Sequence, residues 1–287
     1  FAAHYLGLNL DPWQRQAVSA LHPRGHLLTA RQVGKTTVLA VRVVHHLVFH
    51  PSAKVLVVSA TEIQAGQVIA KVREFLLLLG EDFAKLRGRA WDLLVRSTRA
   101  ELRALPCREA AMRGYTATLV VLDEAALIAD AVFHAVMGTL ASTWDTASVW
   151  IASTPRQPDG FFYDFILHPR PDFLYLCVTA EDSGRLSPEF LKLKREILPE
   201  DVFNQEYNCG FGQSQDAAFR EAVERSVPAS RRAQGHHEPP ILIESQGFRR
   251  NPQLAGRLRG IEGGTECLET PVAGDSGSPP ECLRSEQ

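Results

Sequence analysis

The sequence predicts an α/β fold with a mainly parallel central sheet flanked by helices. Three observations carry that prediction. Short, continuous apolar runs recur along the chain, at Lys54–Ser59, Leu119–Asp123, Ser148–Ser153 and Phe173–Val178. Such runs are how buried parallel strands read, because both faces of the sheet are covered. Helical patterns alternate with these strands, as in a sheet built from crossover units. The third observation is the stretch Ala30-Arg31-Gln32-Val33-Gly34-Lys35-Thr36-Thr37, set between an apolar strand at His26–Thr29 and an amphipathic helix starting near Lys35.

The elements follow in order. Asp11 to Leu21 reads as a helix, with Asp11 as N-cap and Pro12 at the first helical position. The helix after Gly34 runs to about Phe49 and stops at Pro51. Thr61 opens a long helix that places Ala65, Val68, Ile69, Val72, Phe75 and Leu76 on one face, and Gly80 ends it. Leu93–Ser97 and Glu101–Leu105 form a hairpin. A helix follows Asp123 through about Leu140. Ser187-Pro188-Glu189 and Pro199-Glu200-Asp201 open two further helices, the second carrying Phe203 and Tyr207.

Composition sets the bounds. The 287 residues are 45% apolar and 22% charged, which describes a globular chain with a sizeable core. The net charge of −2 excludes a global basic field, so any nucleic-acid contact rests on a local patch or on partner subunits. Five scattered Cys show no metal-ligand spacing and fit a reducing compartment. The His45-His46 and His236-His237 pairs lack the spaced partners of a zinc site. No apolar run approaches the length of a membrane-spanning helix. From Pro228 onward, Gly and Pro make up 15 of 60 residues, and Phe248 is the single aromatic there out of 23 in the chain. Such a segment buries too little apolar area to offset its ordering entropy and is expected to be disordered.

The stretch at residues 30–37 has the layout of a phosphate-binding loop. Backbone N–H groups of Gln32, Val33, Gly34, Lys35, Thr36 and Thr37 would face anionic oxygens at a helix N-terminus. Lys35 would reach the terminal phosphates, and the Thr36 hydroxyl would hold Mg²⁺. The full pattern wants Gly five residues before Gly34, where this chain has Thr29. A second constellation supports the first. The strand Leu119–Leu122 ends in Asp123 and Glu124, and ligands in such sheets bind at the carboxyl ends of strands. Asp123 would reach Mg²⁺ through water, and Glu124 would polarise the attacking water.

Three weaker constellations complete the pattern. Upstream of the loop, Trp13 and Gln14 stand together. The Gln14 amide offers a donor and an acceptor that match the adenine edge, and Trp13 either packs against the base or braces the helix. Ser153 and Thr154 end a strand and either hydrogen-bond Glu124 or the γ-phosphate, or form a turn before Pro155. Arg113, one loop before the Asp-Glu strand, is either a solvated surface charge or a finger reaching a neighbour's ATP.

In this order the motifs resemble the ATPase domain of the large terminase subunit, the DNA-packaging motor of tailed bacteriophages. The resemblance covers about Leu8 to Phe219. It rests on Arg31–Thr37 as the variant loop without the early Gly, and on Val121-Leu122-Asp123-Glu124-Ala125. Pro12-Trp13-Gln14, Ser59-Ala60-Thr61, Arg113-Gly114, Ala152-Ser153-Thr154-Pro155, Gly160-Phe161-Phe162-Tyr163 and Phe203-Asn204-Gln205-Glu206-Tyr207 support it. It implies a P-loop NTPase fold of the RecA/ASCE type over residues 1–219, with residues 220–287 as a low-complexity or disordered tail. It implies ATP and Mg²⁺ as cofactors, with Lys35, Thr36 and Asp123 holding phosphate and metal and Glu124 as the catalytic carboxylate. Gln14 would contact adenine, Arg31 would sense the γ-phosphate, and Ser153-Thr154 would couple hydrolysis to movement. Arg113 would be the trans-acting finger.

The implied partners are double-stranded DNA, a portal protein, a small terminase subunit and further copies in a ring. No membrane is involved, and the place of action is the cytoplasm of the bacterial host. Large terminases also carry a nuclease domain of RNase H-like fold. The tail here lacks the strands and length for one, so the expectation is that the nuclease is absent. Two other readings remain at this point: a truncated prophage remnant that binds nucleotide without motor function, and a helicase-like ATPase.

Overall fold

A computed structural model describes residues 1–80, Phe83, the short strand Leu86–Arg87 and residues 91–212. The chain divides into two compact units, 1–251 and 252–287, and the described residues all belong to the first. The expected tail at 220–287 lies outside the described residues.

Eight strands form one sheet: β1 (Arg24–Thr29), β2 (Lys54–Ser59), β3 (Leu86–Arg87), β4 (Asp92–Val95), β5 (Ala100–Ala104), β6 (Leu119–Asp123), β7 (Ser148–Ser153) and β8 (Phe173–Val178). Their order across the sheet is β3-β4-β5-β2-β6-β7-β1-β8. The six strands from β5 to β8 in that order are parallel, and β4 pairs antiparallel with both β3 and β5. Strand β7 therefore separates β1, which feeds the loop, from β6, which carries the acids. The sequence-based ranges of β2, β6, β7 and β8 coincide with the observed ones, because each is a run of side chains buried on both faces.

The helices are α1 (Ala2–Leu6), α2 (Pro12–Ser19), α3 (Lys35–Phe49), α4 (Glu62–Leu78), α5 (Glu109–Met112), α6 (Asp130–Gly138), α7 (Gly160–Leu167), α8 (Ala180–Ser183), α9 (Pro188–Ile197) and α10 (Glu200–Tyr207). Helix α4 starts where its cap dictates: the Thr61 hydroxyl accepts the Gln64 N–H at 3.3 Å. The chain steps one way along the sheet from β1 through β2 to β5, and the other way from β5 through β6 and β7 to β8. Right-handed crossovers then put α3 and α4 on one face and α5 to α7 on the other. The packing agrees: α3 lies on α4, and α6 contacts both α5 and α7.

Two expectations need correction. The helix expected from Asp123 to about Leu140 is broken: a single 3₁₀ turn spans Ala125–Leu127, and α6 runs only from Asp130 to Gly138. The break arises because Ile128 (ψ 127°) and Ala129 (ψ 145°) adopt extended backbone between the turn and the helix. The first hairpin strand ends at Val95, two residues before the expected Ser97, and the second starts at Ala100, one residue earlier than expected, directly after Arg99 at φ 56°.

The strand under the loop is fixed by two close fits. Gly25 faces the Trp150 ring of the next strand so tightly that a Cβ would stand 2.4 Å from it. His26 stacks on Phe162 with centroids 4.3 Å apart and bonds the Phe162 carbonyl oxygen through Nε2 at 3.1 Å. Burial drives the His26 pKa down from 6.5 to about 4.

Both fits predict measurable effects. Gly25→Ala should cost about 1–3 kcal/mol in denaturant unfolding, because Trp150 has no free space to retreat into. His26 is neutral when folded, so its contribution is complete above pH 6.5 and is lost as pH falls toward 4. From that shift the chain should lose about 2 kcal/mol between pH 7.5 and pH 5 through His26 alone. Denaturant curves at the two pH values should show the loss shrinking by that amount in His26→Phe.

Candidate functional site

The parallel strands all release their chains at one edge, and the residues singled out by sequence converge there. Thr29 ends β1, Asp123 ends β6 and Ser153 ends β7. The pairing sets Asp123 beside Ala152 and Ser153 beside Leu28. The loop then turns into α3, whose N-cap Gly34 sits at φ 93°. A side chain is strained at that angle, and its Cβ would also meet Gln14 Nε2 at 2.5 Å. Gln32 is likewise left-handed, at φ 62°. The first turn of α3 carries Thr36 and Thr37 with half-buried side chains, and the opening N–H groups of a helix lack intrahelical partners.

The central contact joins the two constellations. Lys35 Nζ donates to Glu124 Oε1 at 2.5 Å, with side-chain exposures of 12% and 20%. Screening by water is weak at that depth, so this is an ion pair of consequence. Ser153 Oγ and Thr154 Oγ1 each donate to the other carboxylate oxygen of Glu124 at 3.5 Å. Ser153 Oγ also accepts the Ala126 N–H at 3.1 Å, which pins the turn that presents Glu124. Asp123 accepts the Glu124 N–H at 3.1 Å. Burial raises its pKa from 3.8 to about 6, with Lys35 opposing and Glu124 adding to the rise. The buried Asp123 carboxylate and the half-buried Thr36 hydroxyl are hard oxygen donors, the type that suits Mg²⁺.

On the other side of the loop, Gln14 braces Gly34. Gln14 Nε2 donates to the Gly34 carbonyl oxygen at 3.3 Å, while its Oε1 accepts the Asp11 N–H at 3.0 Å. Trp13 is 8% exposed, and its Nε1 is buried without a partner among the described residues. Thr29, which stands where the full loop pattern has Gly, is fully buried, and its Oγ1 likewise lacks a partner there. Arg31 is paired with Glu206, and Glu124 is near enough to act on it electrostatically. Its Nη1 pairs with Glu206 Oε2 at 3.0 Å and its N–H donates to the Glu206 carbonyl oxygen at 2.9 Å. The hydrogen bond to Glu206 raises the Arg31 pKa. Next to Glu206, Gln205 donates to the Pro155 carbonyl oxygen at 3.0 Å. Arg113 is exposed at the end of α5, and among the described residues no contact joins it to the other candidates.

Two participants escaped the sequence. Arg185 donates from Nη2 to Gln14 Oε1 at 3.0 Å and from Nε to the Asp11 carboxylate. Glu206 holds Arg31. Each partner pair is separated by more than 170 residues, so no local pattern marks it. The one available signal was position, since both follow β8 and so fall at the strand edge that carries the loop.

The brace on the turn makes a prediction. Ser153→Ala leaves the Ala126 N–H without its acceptor and should cost about 1–2 kcal/mol in urea unfolding.

Comparison with known proteins agrees with this architecture. The family described as "Terminase large subunit, T4likevirus-type, N-terminal" matches residues 26–225. The probable terminase large subunit of Enterobacteria phage P7 is 25% identical over 186 residues, covering 56% of this chain and 36% of that protein. The terminase large subunit of Thermus virus P23-45 is 25% identical over 223 residues, covering 66% of this chain and 46% of that protein. The chain thus spans less than half the length of these relatives. The solved ATPase domain of the Thermus phage P74-26 large terminase superposes with a TM-score of 0.64 at 25% identity, covering 73% of this chain and 96% of that one. A large terminase from a thermophilic bacteriophage, solved in complex with ADP, shares the fold at 14% identity and a TM-score of 0.59, covering 70% of this chain and 53% of that one. By the extent of the family match, this chain belongs to the terminase large subunits, in their N-terminal region.

Proposed function

We propose that residues 1–219 form an ATP-hydrolysing domain that, within a large terminase subunit, drives double-stranded DNA into a viral shell. The observation that carries this reading is the Lys35–Glu124 contact. It brings a phosphate-seeking ammonium and a carboxylate from separate strands to one point, with Asp123 and two hydroxyls beside them. Family membership and the ADP-bound relative support the choice of nucleotide.

In this reading the N–H groups of residues 32–37 and Lys35 bind the phosphates, while Thr36 and Asp123 hold Mg²⁺. The metal, when bound, neutralises charge on the β- and γ-phosphates. Glu124 orients the attacking water and takes its proton as the new oxygen–phosphorus bond forms and the bond to the β-phosphate oxygen breaks. A γ-phosphate beside Lys35 gives the ammonium a second anion, which loosens its hold on Glu124 and frees the carboxylate for that task. Ser153 and Thr154 then register the change through their bonds to Glu124. Arg31, released from Glu206, lies next to the loop and can meet the γ-phosphate. Arg113, exposed and joined to none of the other candidates among the described residues, would act on a neighbour's site in a ring. Portal protein and small terminase subunit are the partners such a motor requires.

A second reading is nucleotide binding without motor work, and the closed Lys35–Glu124 ion pair favours it, because it occupies both the ammonium and the carboxylate. The two separate in one experiment. Glu124→Gln should lower ATP turnover by at least about 100-fold while retaining ADP affinity, because the amide cannot take the water's proton and Lys35, freed of its ion pair, still has the phosphates to bind. Intact turnover in that variant would sink the assignment of Glu124. If the unaltered chain is heat-stabilised by ATP but shows no DNA-stimulated turnover, the binding-only reading stands instead. Mixing Arg113→Ala with Glu124→Gln chains under assembly conditions should recover part of the activity, and absence of recovery counts against the finger.

A further inference from the structure

The candidate nucleotide site has two unlike flanks. Beyond Lys35 lie Glu124, Asp123, Ser153 and Thr154, which suit the terminal phosphates and their metal. On the opposite side of Gly34 lie Gln14, Asp11 and Arg185. Phosphates bound along the N-terminus of α3 therefore leave sugar and base on the Gln14–Arg185 flank.

A base arriving there does not meet the Gln14 amide. Gln14 is 0% exposed. Its Oε1 accepts from the Asp11 N–H and from Arg185 Nη2, each at 3.0 Å, so both lone pairs are used. Its Nε2 is turned to the Gly34 carbonyl oxygen. Arg185 covers this amide, held by the Asp11 carboxylate through Nε, and its side chain is 38% exposed. Its remaining edge, Nη1, makes no hydrogen bond among the described residues. That edge lies 3.4 Å from where a Cβ on Gly34 would stand. The group facing an incoming base is thus a planar cation that only donates.

Adenine presents the N7 acceptor beside an N6 donor, whereas guanine presents N7 beside the O6 acceptor. A donor-only surface serves N7 in both purines and O6 in guanine, and finds no use for the N6 amino group of adenine. A guanidinium also stacks on either ring. We propose that Arg185 is the base-facing, specificity-determining residue of this site. With Arg185 in place the site accepts purine nucleotides and does not favour adenine over guanine. Gln14 serves as the brace of Gly34, and its adenine-reading face is released only when Arg185 lets go. The inference rests on the loop being a nucleotide site, as proposed above.

The test is displacement of a fluorescent ADP analogue from the full chain by ADP, GDP and CDP with Mg²⁺ present. GDP should bind at least as tightly as ADP, and CDP about tenfold more weakly, the scale of one base-edge contact. Arg185→Ala frees a lone pair of Gln14 Oε1 and should shift the ADP:GDP ratio toward ADP by about tenfold or more. Arg185→Lys keeps a donor on Gln14 and should hold the wild-type ratio. A wild-type preference for ADP above about tenfold overturns the proposal. So does an Arg185→Ala chain that melts earlier with its ratio unchanged, which is the mark of a structural role. Should Arg185→Ala fail to fold, the wild-type ratio still decides. If the wild type binds neither purine nucleotide, the reading of the loop as a nucleotide site falls as well, and that is seen before any variant is compared.

Discussion

The structure depends on one spacing constraint, set by the strand between the loop and the acids. Neighbouring strands lie about 4.8 Å apart, so β1 and β6, with β7 between them, are separated by roughly 10 Å. Only two long side chains can close that gap. Lys35 supplies four methylenes and Glu124 two, and their charged ends meet. Aspartate at position 124 would fall short by a carbon–carbon bond. The intervening strand must also end in something small that can hydrogen-bond the carboxylate, and Ser153 does so.

That constraint explains why strain is accepted at two points. Gly34 and Glu124 both occupy left-handed backbone, Glu124 where the chain leaves β6 and Gly34 where it enters α3, and each turns the chain so that Lys35 and Glu124 face each other. At Gly34 the conformation is free of a side-chain penalty. At Glu124 it costs on the order of 1–3 kcal/mol, which the Ala126–Ser153 hydrogen bond and the ion pair to Lys35 offset.

Much of this was legible in the chain. Four strands could be bounded to the residue because burial on both faces leaves an unbroken apolar run, and the loop and acids were visible because they terminate such runs. Helix α7 was not. Its Gly-Phe-Phe-Tyr-Asp-Phe-Ile-Leu sequence is apolar nearly all round, so it shows no polar face to betray the helical period. Gly25 carried no sign that Trp150 would lie against it. Arg185 and Glu206 were hidden for a different reason: their partners come from the other end of the domain. Gln14 was noticed for its amide, yet nothing local could reveal that a distant guanidinium would occupy the acceptor.

The grips of α10 carry a mechanical consequence. Gln205 holds the exit of β7 and Glu206 holds the loop after β1, so adjacent residues clasp two different strand ends. The helix itself is eight residues long, about 12 Å. Two grips a few ångströms apart tie both strand exits to one short rod. Helix α9 packs along that rod, with Phe190 against Tyr207 and Arg195 over the Phe203 ring, and carries Leu193 and Ile197 bare to solvent. The strand exits cannot shear past each other without straining α10 and, through it, the apolar surface of α9.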